Sequence, residues 1–164
     1  MDRNVHPTSS DSLHITMHFL GRQAPDRLTL LVSAGERAVA STPPFQIEVR
    51  GVGGFPSRSR PAVIWLGATV GGAHLEALAN AIRAELQRAG IPVDGRQFLP
   101  HCTVARVHGE LPSADSRRVE RAALGVERLI PCPLPVGEVH LMESIAVAKG
   151  ANRYQSRHIF PLAG

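Results

Sequence analysis

Lysine is almost missing from this chain: Lys149 stands alone among 18 basic residues, and the rest of the positive charge is arginine. Against 14 acidic residues this gives a formal net charge of +4. Arginine favours bidentate phosphate contact and stacking on bases, which suits a nucleotide or nucleic-acid partner. Codon bias toward Arg, Ala, Gly and Pro produces the same composition, so charge alone does not decide. Cysteine is scarce too: Cys102 and Cys132 form neither a Cys-x-x-Cys pair nor a dense framework, which argues against disulfide scaffolding, redox chemistry and a cysteine zinc site. No apolar run approaches the ~20 residues of a membrane span, and residues 1–12 are polar without a hydrophobic signal segment. The expectation is a soluble, cytoplasmic protein with no membrane partner. No Gly-x-Ser-x-Gly elbow occurs, and Gly51-Val52-Gly53-Gly54 lacks the Gly-Lys-Ser/Thr ending of a P-loop, so neither a serine hydrolase nor ATP is implied.

What is present is one short pattern twice, His14-Ile15-Thr16-Met17 and His101-Cys102-Thr103-Val104. Leu13, Ile15, Met17 and Phe19 alternate with His14, Thr16 and His18, the two-residue period of a half-buried strand, and residues 99–107 read as a second strand. Positions i and i+2 of a strand face the same side, so His14 projects with Thr16 and His101 with Thr103. Side by side, two such strands surround a small pocket with two imidazoles and two hydroxyls. One neutral imidazole acts as base and one protonated imidazole as acid, while the threonines donate to phosphate oxygens as charge builds. The implied reaction is phosphoester cleavage without a metal.

The other elements follow from periodicity and breakers. Helices are expected over about residues 25–40, 72–89 and 113–124, the first stopped by Pro43-Pro44 and the second by Gly90 and Pro92. Strands are expected over 45–49 and 62–69, paired as a hairpin across a turn-rich stretch from 51 to 61, and over parts of 134–148 and 154–162. Strands joined by both helices and hairpins argue an α+β fold and not a doubly wound parallel sheet.

Eight histidines invite a metal reading. On a strand, His14 and His18 lie about 13 Å apart at ~3.3 Å per residue, too far to share an ion. His101 and His108 have no acidic or thiolate ligand in short spacing, and His6, His74, His140 and His158 read as surface or structural residues. Cys102 points away from His101 by strand parity and reads as a core residue, not a nucleophile.

These residues resemble the 2H phosphoesterase superfamily, named for two His-x-Thr motifs, and within it the RNA 2′,3′-cyclic phosphodiesterases formerly called 2′-5′ RNA ligases. The likeness covers Leu13-His14-Ile15-Thr16-Met17-His18-Phe19-Leu20-Gly21, the turn Gly53-Gly54-Phe55-Pro56 leading to Val63-Ile64-Trp65-Leu66-Gly67, and Pro100-His101-Cys102-Thr103-Val104-Ala105-Arg106, in that order. It implies one bilobal α+β domain over residues 1–164. Two antiparallel sheets would line a central cleft with helices outside, one motif coming from each lobe. It implies no cofactor and no metal, and a reaction that opens a 2′,3′-cyclic phosphate on RNA or a nucleotide to leave a 2′-phosphate. His14 would be the proton donor and His101 the proton acceptor, with Thr16 and Thr103 holding the phosphate. Phe19 and Arg106 match positions tied to the base and phosphate; strand parity turns both away from their histidines unless a bulge or strand end intervenes.

Members of that branch begin with a strand and a helix ahead of the first motif, and only twelve residues precede Leu13 here. The first lobe is therefore expected to lack a strand, leaving a sheet edge open to self-association. Two other readings stay open: a non-catalytic binder of RNA ends, and ATP-independent 2′-5′ ligation at the same site.

Overall fold

The computed structural model describes residues 4–57, 61–109, 132–146 and 152–163. The chain divides into two compact units. The first holds β1 (Val5–Pro7), the first motif, β3 (Val63–Val70), β4 (His101–Val107) and most of β2 (Phe45–Phe55). The second holds α1 (Leu28–Val39), α2 (Gly72–Arg88), β6 (Glu138–Ala146) and β7 (Asn152–Pro161). One sheet has the order β1-β4-β3-β2-β5, where β5 is Cys132–Val136, and the other pairs β6 with β7. The described pairings are antiparallel, as expected for an α+β chain.

In the first unit Ile64, Ala105 and Val107 form the buried layer, with Val5, Val52 and Val104 packed against them. Burial of these β-branched and small side chains fixes which face of the sheet is the core, because a one-residue slip would turn the whole set outward. β1 runs antiparallel along β4, setting Val5, His6 and Pro7 opposite Val107, Arg106 and Ala105. The Thr8 amide then donates to the Val104 carbonyl at 2.9 Å, and after a 3₁₀ turn at Ser10–Ser12 the chain returns to β4, where Ile15 bridges Cys102. Residues 4–12 thus supply a strand that their polar composition conceals, and β4 carries β1 and Ile15 along one edge.

In the second unit, Leu31, Ala34 and Ala38 keep helical spacing and make the buried stripe of α1. The stripe of α2 is Leu75, Leu78, Ala79 and Leu86. α2 ends in a Schellman motif: the Gly90 amide donates to the Gln87 carbonyl at 3.0 Å and the Ile91 amide to Leu86 at 2.9 Å. Gly90 takes φ +68° there, and Ile91 and Leu86 share one buried cluster. Gly35 of α1 lies so close to Phe160 of β7 that a Cβ would fall 2.5 Å from the ring. Arg37 of α1 and Arg88 both hydrogen-bond the Glu85 carboxylate, the former at 2.8 Å, and hold its pKa below the ordinary value. No helix among the described residues is long and apolar enough to cross a membrane.

α2 and β3 stand within a residue of their expected bounds, and α1 begins three residues later than expected because a 3₁₀ turn at Pro25–Arg27 precedes it. The helix expected over 113–124 lies outside the described residues. Three expectations need correction. Residues 13–19 are not a continuous strand but an extended segment with a single bridge at Ile15. Residues 51–55 are not turn but strand: β2 continues past register shifts between Glu48 and Val52, where Gly51 adopts φ +79°, a conformation that glycine tolerates at a bulge. Finally, His14, Ile15 and Thr16 of the first motif join the second motif in the first unit instead of one motif lying in each lobe, and Ile15 and Cys102 pair directly.

Candidate active site

The Ile15–Cys102 bridge sets the geometry of the two motifs. In an antiparallel pair with Ile15 opposite Cys102, the residues before and after follow suit, so His14 lies beside Thr103 and Thr16 beside His101. Ile15 and Cys102 take one face of the sheet, and the two histidines and two threonines take the other. His14 and His101 are then diagonal neighbours, a relation that separates side chains by about 7–8 Å. That span accommodates a phosphate with an imidazole on either side.

The same face is continued by β3. Gly67 pairs with His101 and Trp65 with Thr103, while Gly53 of β2 pairs with Trp65. The Trp65 ring lies across Gly53 so closely that a Cβ there would fall 2.0 Å from it. Phe55 and Trp65 flank the His101 imidazole, with ring centroids 5.2 and 5.8 Å away, and Phe55 meets it edge to face. These two aromatics limit how His101 turns. The sequence signalled them only through the family-like turn and strand, not as neighbours of His101, since that depends on the register of three strands.

His14 has its own restraint. Its Nδ1 lies 2.7 Å from the carbonyl oxygen of Ser12, which only accepts, so Nδ1 carries the hydrogen of that contact. The Ser10–Ser12 turn places that carbonyl. Cys102, behind the site, accepts from the His14 backbone amide, but burial outweighs that bond and pushes the thiol pKa up, which makes it a poor thiolate.

Arg106 reaches the motif face through a bulge. β4 pairs Val63 with Arg106 and Ile64 with Ala105, then slips by one so that Trp65 meets Thr103. Val104 is the extra residue. Val104 and Ala105 therefore both belong with the core side, and Arg106 returns to the side of His101 and Thr103, exposed. Phe19 lies in the second unit with its side chain 71% exposed. Four further histidines have structural partners: His18 Nε2 donates to the Ala79 carbonyl at 2.8 Å, His74 stacks on Phe45, His140 contacts Glu138 and Ser156, and His158 packs on Phe160.

A model of the 2′-5′ RNA ligase superfamily matches residues 5–147. The chain belongs to this superfamily. Among curated relatives of this 2′-5′ RNA ligase superfamily member, the RNA 2′,3′-cyclic phosphodiesterase of Archaeoglobus fulgidus is 32% identical over 149 residues, covering 89% of this chain and 78% of that protein. The protein of the same name from Aeropyrum pernix is 33% identical over 100 residues, 60% of this chain and 55% of that protein. The aligned stretch thus spans about half the length of some of these relatives. In three dimensions the chain is similar to Escherichia coli LigT crystallised with 3′-AMP, with a TM-score of 0.71, 26% identity and coverage of 96% of this chain and 81% of that one.

Proposed function

We propose that this 2′-5′ RNA ligase superfamily member hydrolyses 2′,3′-cyclic phosphodiesters on RNA or nucleotide ends to 2′-phosphomonoesters without a metal. The observation that carries the reading is the Ile15–Cys102 bridge, which supports a common face for His14, Thr16, His101 and Thr103. The relatives named RNA 2′,3′-cyclic phosphodiesterase and the 3′-AMP held by LigT support the substrate class.

In this reaction His101 accepts a proton from water as the oxygen attacks phosphorus. The bond from phosphorus to the 3′ oxygen breaks, and His14 delivers a proton from Nε2 to that oxygen. Its Nδ1–H bond to the Ser12 carbonyl orients the ring for that transfer. Thr16 and Thr103 donate to the non-bridging oxygens, and Arg106 neutralises phosphate charge. A reducing compartment, the cytoplasm, accords with the free Cys102 thiol.

The test is turnover of a 2′,3′-cyclic nucleotide in the presence of chelator. Loss of activity in His14→Ala and in His101→Ala, by about two orders of magnitude or more each, is the expected result. An inert wild type that still binds RNA ends would replace the enzyme with a binder, and ligation of a 5′-hydroxyl end exceeding hydrolysis would reverse the direction assigned.

A further inference from the structure

The motif face does not stop at Arg106. β1 sets His6 directly opposite Arg106, and its neighbours Val5 and Pro7 lie opposite Val107 and Ala105, both buried. Alternation therefore puts His6 on the side away from the core, where it is exposed. His108 follows buried Val107 and emerges on that side as well, exposed, its ring meeting the His6 ring edge to face with centroids 4.8 Å apart. The His108 amide donates to the Asn4 carbonyl at 2.9 Å, which carries the β1–β4 pairing one step beyond the strand and holds the two imidazoles together. The bulge at Val104 makes this row continuous with the site, since without it Arg106 would face the core and the imidazoles would be cut off from Thr103.

We infer that His6 and His108 form a second phosphate-contact site, which takes the backbone of an RNA strand beyond its cyclic end. The inference rests on the phosphodiesterase reading for the identity of the ligand. At about 3.3 Å per residue, Arg106 stands roughly 10 Å along β4 from Thr103 and His108 roughly 7 Å further. A lone cyclic nucleotide clamped between His14 and His101 has no group that far away, whereas a strand places further phosphates along the row. Imidazoles donate hydrogen bonds to phosphate oxygens and, when protonated, add charge. The competing role for the pair is structural, a ring contact that fastens the short β1 strand.

Binding and turnover of two ligands separate these roles: a 2′,3′-cyclic mononucleotide and a short oligoribonucleotide carrying the same cyclic end. The His6→Gln/His108→Gln double variant is expected to weaken oligonucleotide binding by on the order of five-fold per histidine. Assayed at about pH 5.5, below the ordinary imidazole value, its dependence of log Kd on log salt should flatten by about one to two, and the KM and kcat for the mononucleotide should hold. The His6→Lys/His108→Lys variant is expected to restore oligonucleotide affinity and steepen the salt dependence. Equal losses on both ligands, or affinity lost in both double variants together with a lower Tm, would assign the pair to fastening β1. A wild type that binds the oligonucleotide no more tightly than the mononucleotide would overturn the inference outright. A wild type that hydrolyses neither ligand defeats the phosphodiesterase reading instead, and the anisotropy of a labelled oligonucleotide still reports on His6 and His108.

Discussion

At the scale of single residues, the site depends on small side chains as much as on the histidines. Gly53 is filled by the Trp65 ring, and Trp65 in turn flanks His101. Gly53→Ala would displace that ring, so turnover of a cyclic nucleotide is expected to fall at least ten-fold while far-ultraviolet circular dichroism stays unchanged; full activity would detach Trp65 from the placement of His101. Cys102 supplies the opposite case. Its raised thiol pKa and its place behind the site imply slow alkylation by iodoacetamide at neutral pH, and Cys102→Ser is expected to retain activity. The two motif histidines and their threonines were readable because strand alternation needs only the local sequence. Arg106 was named only through the family resemblance, because its facing depends on one extra residue in β4 that alternation alone does not show. The aromatic neighbours of His101 likewise depend on registers set by distant segments.

At the scale of elements, helix positions were the most legible, since the apolar stripes and the Gly90 cap are written in adjacent residues. Gly35, within α1, carried no such label: its need for glycine comes from Phe160, far along the chain in β7. Gly35→Ala is expected to destabilise the protein by about 1–3 kcal/mol in chemical unfolding, and Phe160→Leu in the same chain to recover part of that loss. An additive pair would show that the ring and the helix do not compete for the space. The Glu85 contacts give α1 and α2 a pH dependence. A carboxyl whose folded pKa lies below its unfolded value stabilises the fold above the unfolded pKa, and that contribution disappears as pH falls through the folded one. Glu85→Gln should therefore lower Tm at neutral pH, with the gap to wild type closing below about pH 4. β1 is the element that the sequence hid, three residues whose strand character comes from the β4 edge they pair with and not from their own pattern.

For the whole molecule, the α+β class was evident from the mixture of hairpins and helices and the antiparallel sheets from the family resemblance, but the division into units was not. Residues adjacent in sequence, Thr16 and Met17, fall in different units, while His14, Thr16, His101 and Thr103 fall in the same one. Chain order carries no such boundary; only the long-range pairing of Ile15 with Cys102 shows that the two motifs make one face. The central claim is that this pairing creates a two-histidine, metal-independent hydrolytic site. The most direct measurement is the rate of 2′-phosphomonoester release from a 2′,3′-cyclic nucleotide in excess chelator, compared across wild type, His14→Ala, His101→Ala and the double variant. Full wild-type turnover, collapse in each single variant and little further loss in the double variant are expected, because the two imidazoles act as one unit. Turnover that survives in both single variants, or that chelation abolishes in the wild type, would contradict the claim.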